Sequence, residues 1–341
     1  MNKLIAIILC ALFISGCSSN KEYVLLSDPP GSDSNDDSFW STIPVESTPL
    51  SRNAIIEHLE LCKKTGADSQ LIIYKNQIVS EWYSDRYKEP VGAMSSTKVV
   101  ASLLIGSLVD AGKISYQTKV HEILPDWRGS YRDEVSIKNL LTHTAGFNRR
   151  VLKDESIGYA EKKTEFVINI TPDYQPDTKF EYSNEGVQLL EPIISGVSGL
   201  PTEQYAQEIL FSKIGMNETK LYNYGGSPWL YAEMQTTARD LARLGVLMNN
   251  KGKWGNQKIV SEEYVEQATK PISQNKEMGF LWWILDDSKT VKGYYASGYL
   301  NTDIYVFNEY DVVIVRTQAP KNGFTGKNES GNYFKQAMPL F

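Results

Sequence analysis

The chain has 341 residues, with 35 Lys and Arg against 41 Asp and Glu, for a formal net charge of −6. An acidic chain without a basic tract excludes a partner held by phosphate neutralisation, so no nucleic-acid role is expected. The three histidines and three cysteines fall without paired ligand spacing, which argues against a metalloenzyme; neither a metal nor another cofactor is expected.

Residues 1–16 read as an export signal. Lys3 supplies the positive start, and the apolar run from Leu4 to Ile14 is too short to span a bilayer stably. The run ends in Ile14-Ser15-Gly16-Cys17, which resembles the bacterial lipoprotein cleavage box. That resemblance implies a mature chain beginning at a lipidated Cys17, anchored in the cell envelope and facing the periplasm or exterior. Each acyl CH₂ buried in the membrane contributes ~0.8 kcal/mol. Loss of Lys3 with the signal takes the charge from −6 to −7. Cys10 leaves with the signal and Cys17 carries lipid, so Cys62 alone remains and no internal disulfide is expected.

Residues 17–50 are rich in Ser, Asp, Asn and Pro and read as a flexible tether. Residues 51–341 are long enough for one large domain or two lobes sharing a core. Ser51 to Gly66 is an amphipathic helix, with Ile55, Ile56, Leu59 and Leu61 among charged residues. Ser69–Tyr74 and Gln77–Tyr83 are strands joined by a Lys75-Asn76 turn.

Next comes Ala93-Met94-Ser95-Ser96-Thr97-Lys98, followed by a run from Val99 to Val109 that is apolar on every side. A helix buried on all faces follows from that pattern, ending at Gly112. Ser95 lies at its positive end, and Lys98 is one turn along the same face. A serine hydroxyl becomes a useful nucleophile when a neighbouring base takes its proton, and the Lys98 amine is placed to do so. The same spacing recurs at Ser18 with Lys21, in a polar tail, and at Ser273 with Lys276, in a polar loop. Only Ser95 has a buried helix behind it.

From Lys113 to about 275 the pattern is mostly helical, with Pro201–Leu210, Thr237–Met248 and a segment opened by Ser261 as helices. Tyr182-Ser183-Asn184 sits here, on a loop just before an apolar helical stretch. Tyr182 can move a proton between nucleophile and leaving group, a role worth ~10²–10⁴ in rate, and Asn184 can donate to a substrate carbonyl. Strand character then returns in Met278–Ile284, Gly293–Ser297, Asp303–Phe307 and Asp311–Arg316, with a helix from about Asn332. The order predicts an α+β fold: an antiparallel sheet flanked by helices, with a mostly helical lobe inserted after the nucleophile helix, about 113–275. Ala296-Ser297-Gly298-Tyr299 forms a third motif. Gly298 allows a substrate to approach the strand, and an outward N–H there, with that of Ser95, would form an oxyanion hole.

These three motifs, in this order, resemble the serine β-lactamase-like superfamily of penicillin-recognising enzymes. Tyr182-Ser183-Asn184 is the form found in class C β-lactamases, related esterases and 6-aminohexanoate-dimer hydrolases. Leu140-Leu-Thr-His-Thr-Ala-Gly146, Gly215-Met-Asn-Glu-Thr219, Thr236-Thr-Ala-Arg-Asp240 and Trp282-Trp283 are similar to recurrent segments of the family. The resemblance implies Ser95 as acylated nucleophile, Lys98 and Tyr182 as its activating pair, and the Ser95 and Tyr299 N–H groups as oxyanion hole. Ser297, Gly298 and Asn184 would contact substrate. His143 reads as structural, fixing a loop. The usual third motif begins with Lys or His, where this chain has Ala296. That cation answers a substrate carboxylate, so its absence favours a small ester or linear amide over a β-lactam or D-Ala-D-Ala peptide. A β-lactamase or carboxypeptidase remains the alternative, and a non-catalytic binding lipoprotein a further one. A Ser-His-Asp arrangement lacks support, since no motif adjoins His58 or His121.

Overall fold

The structure of the protein, a computed structural model, describes residues 39–84, 90–148, 157–158, 160–287 and 291–320. Lys75 and Asn76 take left-handed backbone, with φ of 47° and 65°, as a two-residue hairpin turn requires. They join β2 (Ser69–Tyr74) to β3 (Gln77–Tyr83). Five more strands complete the sheet: β1 (Ser41–Thr42), β4 (Trp283–Asp287), β5 (Val291–Ser297), β6 (Asp303–Phe307) and β7 (Val312–Thr317). Their order is β1-β3-β2-β7-β6-β5-β4. All neighbours are antiparallel except β1 and β3. The late strand β7 thus pairs with the early β2, and the chain between β3 and β4 leaves the sheet and returns. The α+β reading holds.

Alternation divides the sheet side chains between two cores. On one face Ile72, Val79, Tyr305, Phe307 and Ile314 pack with Ala54, Ile55 and Cys62 of α1 (Arg52–Lys64). Ser51 caps α1 by accepting from the Ala54 N–H, a contact worth ~1 kcal/mol. Ile56 and Leu61 lie at the rim rather than in the core. On the other face Leu71, Ile73, Ile304, Val306 and Val313 join the core of α2 (Lys98–Asp110) and α4 (Ala238–Asn249). Every residue of α2 from Lys98 to Gly106 is buried. Each fully buried Leu or Ile contributes ~1.5–3 kcal/mol, so this helix is a rigid base for whatever precedes it. Gly112, at φ 67°, ends it as expected.

Three expectations are corrected. Residues 39–50, read as part of the tether, pack on the domain. The Phe39 ring stacks on Trp254 at 4.0 Å, and Val45 and Leu50 are buried against the α1 face. A few large side chains in a polar stretch suffice to fix it. The run Met278–Ile284 is not a strand through its length, because the strand is Trp283–Asp287. Before it, Gly279 N–H turns back to Trp282 O, and Leu281 has φ 61°. The helix expected over Pro201–Leu210 starts at Thr202, with Pro201 as its cap. It then passes through a π-helical stretch, Gln207–Phe211, and ends at Ile214. The helix expected from about Asn332, and the signal and lipidation segments, lie outside the described residues.

Candidate active site

Ser95 lies in a single 3₁₀ turn, Met94–Thr97, immediately before α2. Met94 has φ 49°, a costly conformation for a non-glycine residue that the surroundings must hold in place. They do: Ala93 N–H donates to Met234 O at 2.7 Å, and Met234 N–H donates back to Thr97 Oγ1 at 3.1 Å. Behind them, Val91–Gly92 pairs with Gln235 and Thr236.

One turn on, Lys98 is buried. Its Nζ donates to Ser95 Oγ at 3.1 Å and to Tyr231 O at 2.6 Å. The same nitrogen lies 5.0 Å from the Tyr182 ring centroid and 5.8 Å from that of Tyr231. The amine is therefore fixed by a backbone carbonyl on one side and pointed at the serine hydroxyl on the other.

Tyr182 precedes α3 (Asn184–Gln188), which Ser183 Oγ caps by accepting from Gly186 N–H at 2.9 Å. The loop is fastened by His143. Its Nδ1 accepts from Ser183 N–H at 3.1 Å, and its carbonyl accepts from Glu181 N–H. Nδ1 as acceptor puts the ring proton on Nε2, which has no partner among the described residues. Burial, and then the Lys98 charge, hold the imidazole neutral, with its pKa lowered to about 3. The His143 ring lies 4.5 Å from that of Tyr182, and Trp283 stacks on Tyr182 at 6.0 Å and 14°. Trp283 also stacks on Tyr295, and Tyr295 on Tyr305, which carries the aromatic row from Tyr182 into the α1-face core. Trp282 and Tyr294, on the opposite parity, are core. Asn184 Oδ1 is buried with no partner among the described residues.

The third motif closes the site. β4 pairs with β5 only from Trp283 opposite Tyr295, so Ala296 and Ser297 have β6 on one side and no strand of the described residues on the other, and Gly298 and Tyr299 open the turn that follows. Gly298 is placed by packing: a Cβ there would meet Ala93 O at 2.3 Å and Met94 Cβ at 3.1 Å. Its missing side chain is filled by the nucleophile turn itself rather than left open for a substrate. Ser96 Oγ and Gly298 N–H both donate to Thr302 O, at 2.5 and 3.0 Å. Among the described residues neither the Ser95 N–H nor the Tyr299 N–H donates to a protein acceptor. Tyr299 is exposed and Ser297 half-exposed.

Ser95, Lys98 and Tyr182 thus come together, and Ser297 to Tyr299 abut the serine's turn. Ser273 is exposed, its hydroxyl donating to Gln274, and Ser18 with Lys21 lies outside the described residues. Sequence reading missed Tyr231 and Thr302, because both act through backbone carbonyls that carry no residue-type signal.

A family model described as Beta-lactamase matches residues 69–329. The chain belongs to that family. A β-lactamase of Providencia stuartii is 27% identical over 163 residues, 48% of this chain and 41% of the relative. A 6-aminohexanoate-dimer hydrolase of Paenarthrobacter ureafaciens is 24% identical over 231 residues, 60% of this chain and 58% of that one. The chain therefore spans about half the length of these curated relatives. The crystal structure of a penicillin-binding protein from Bacillus halodurans superposes with a TM-score of 0.67 at 18% identity, covering 83% of this chain and 99% of that one. In this member of the Beta-lactamase family the head of the third motif, Ala296, is 2% exposed and joins the core beneath α2.

Proposed function

We propose that the protein is a serine hydrolase that cleaves small esters or linear amides through an acyl-enzyme. The observation that carries this is Lys98 Nζ, held between Ser95 Oγ and Tyr231 O beside the Tyr182 ring. In acylation the Ser95 proton passes to the Lys98–Tyr182 pair while Oγ bonds to the substrate carbonyl carbon. The Ser95 and Tyr299 N–H groups receive the oxyanion, each such donor being worth ~2.7–4 kcal/mol. The pair then protonates the leaving alcohol or amine. Water repeats the sequence on the acyl-enzyme, giving up its proton to the pair, and the Ser95 oxygen leaves as the hydroxyl. Asn184, with its buried Oδ1 at the cleft end of α3 and an amide that can donate, is the group we assign to the substrate carbonyl.

Ala296 supports the substrate class. A charge-assisted bond to a substrate carboxylate is worth ~1.5–3 kcal/mol. A small buried methyl at that position offers none, and neutral substrates lose nothing by it. Intact mass after fluorophosphonate treatment, with peptide mapping, should place one adduct on Ser95 and none on Ser273. kcat/KM should be higher for p-nitrophenyl butyrate than for a chromogenic cephalosporin. The reverse preference supports the β-lactamase alternative; no adduct at all supports the binding-module alternative.

The proposal includes the setting. The Ile14-Ser15-Gly16-Cys17 box supports a lipidated Cys17 and a site facing the periplasm or exterior. Expressed in a lipoprotein-processing bacterium, Cys17→Ala should lose its acyl label. A label that persists removes the anchor from the proposal.

A further inference from the structure

Beneath the third motif runs a row of polar side chains set by strand register. Ser297 on β5 pairs with Asp303 on β6, Asp303 with Arg316 on β7, and Arg316 with Gln70 on β2. Asp303 and Arg316 are completely buried. Asp303 Oδ2 accepts from Tyr305 Oη at 3.2 Å. The Ser297 hydroxyl and the Gly298 N–H act on the carboxylate from the β5 side. The Gly298 N–H is committed to Thr302 O, however, and Oδ1 is left without a partner at good geometry among the described residues.

The turn between β5 and β6 is what this row supports. Leu300 and Asn301 have φ of 68° and 60°, so two successive non-glycine residues are left-handed, at a cost that the surroundings must offset. Arg316 does this by donating from Nη1 to Leu300 O and Asn301 O, both at 2.8 Å. Its Nη2 donates to Thr65 and to Gln318 Oε1. Asp303 faces Arg316 across the β6–β7 register and feels its charge, and it directly follows Thr302, whose carbonyl ties the turn to Ser96.

We propose that Asp303 is a positioning residue whose ionised carboxylate keeps the Gly298–Thr302 turn, and with it the Tyr299 N–H, seated against the Ser95 turn. The inference rests on the serine reading above, because it assigns a means of holding that oxyanion donor. Burial raises the Asp303 pKa to about 6, and the Ser297, Arg316, Tyr305 and Gly298 contacts restrain the rise. The groups facing it are Ser297 and Tyr295 on β5, Tyr305 on β6 and Arg316 on β7, with His58 of α1 beyond Arg316 and held neutral. Protonating Asp303 removes the anion beside Arg316 and loosens the turn that Arg316 clamps.

The test is the rate at which a fluorophosphonate acylates Ser95, followed by intact mass from pH 5 to 8. It needs no substrate turnover. Wild type should show an acid limb centred near the Asp303 pKa, about tenfold below the plateau one unit under it. Asp303→Asn, which mimics the protonated group, should be slow and flat across that limb. Tyr305→Phe removes a donor that stabilises the carboxylate, so its limb should move to higher pH, an effect that loss of packing alone does not produce. An acid limb unchanged in both variants, or absent from wild type, overturns the positioning role and leaves the serine reading standing. If wild-type Ser95 is not acylated at any pH, both fall together.

Discussion

Gly298 is required by space, not by backbone conformation, since it is not among the residues with positive φ. A Cβ would sit 2.3 Å from Ala93 O and 3.2 Å from Thr302 O. Both are backbone atoms, one in the nucleophile turn and one in the turn below. Neither can yield without moving Ser95 or Tyr299. Gly298→Ala should therefore cost ~1–3 kcal/mol of stability through overpacking. Its effect on acylation should be larger in proportion, ~10²–10³-fold, because a displaced oxyanion donor is lost to the transition state. The two readouts are the melting temperature and the fluorophosphonate labelling rate of Ser95. A variant that melts lower yet labels at the wild-type rate would remove the link between this glycine and the oxyanion site. Ala296, two residues earlier, faces the core of α2 with its methyl, so the motif's parity sends the next residue, Ser297, to the opposite face, where its hydroxyl meets Asp303.

At the scale of elements, what the sequence disclosed depended on whether a local pattern determined the outcome. β2 and β3 were legible because alternation and the Lys75-Asn76 turn act within a few residues. α2 was legible because an apolar run of that length has nowhere to go but the core. Ser95, Lys98 and Tyr182 were legible because their side chains carry the chemistry and two of them share one helical turn. Met278–Ile284 has the composition of a strand, but the approach of Gly279 to Ala268 O, where a Cβ would meet the oxygen at 2.0 Å, bends it away. Residues 39–50 look like linker because their few anchors bind partners distant in sequence, such as Trp254. The Ser297–Asp303–Arg316–Gln70 row was illegible for the same reason: it exists only once four strands take their register.

That row ends in a histidine, which contributes to the whole molecule's response to acid. His58 on α1 is buried, and its Nδ1 lies 3.3 Å from Gln70 Nε2. Gln70 Oε1 accepts from Ser80 Oγ, so the amide donates to the imidazole and the ring proton is on Nε2. Burial first, and Arg316 second, lower the His58 pKa from 6.5 to about 3. Above pH 6.5 both the folded and unfolded forms are neutral and the burial carries no proton penalty. As pH falls from 6.5 toward 3, the unfolded chain takes up a proton that the folded one refuses, so stability is lost at ~1.4 kcal/mol per unit. His143 adds a term of the same sign. Asp303, with its pKa raised, adds one of opposite sign below about pH 6. The total slope mixes these, and a variant separates them. Urea unfolding of wild type and His58→Gln should show wild type ahead at pH 7, because the glutamine leaves the α1 face imperfectly filled. At pH 5 that lead should shrink by ~2 kcal/mol, since only wild type retains the histidine whose protonation favours unfolding. An equal gap at both pH values would mean that His58 takes its proton in the folded state as readily as in the unfolded chain, and that the polar row tolerates a second cation beside Arg316.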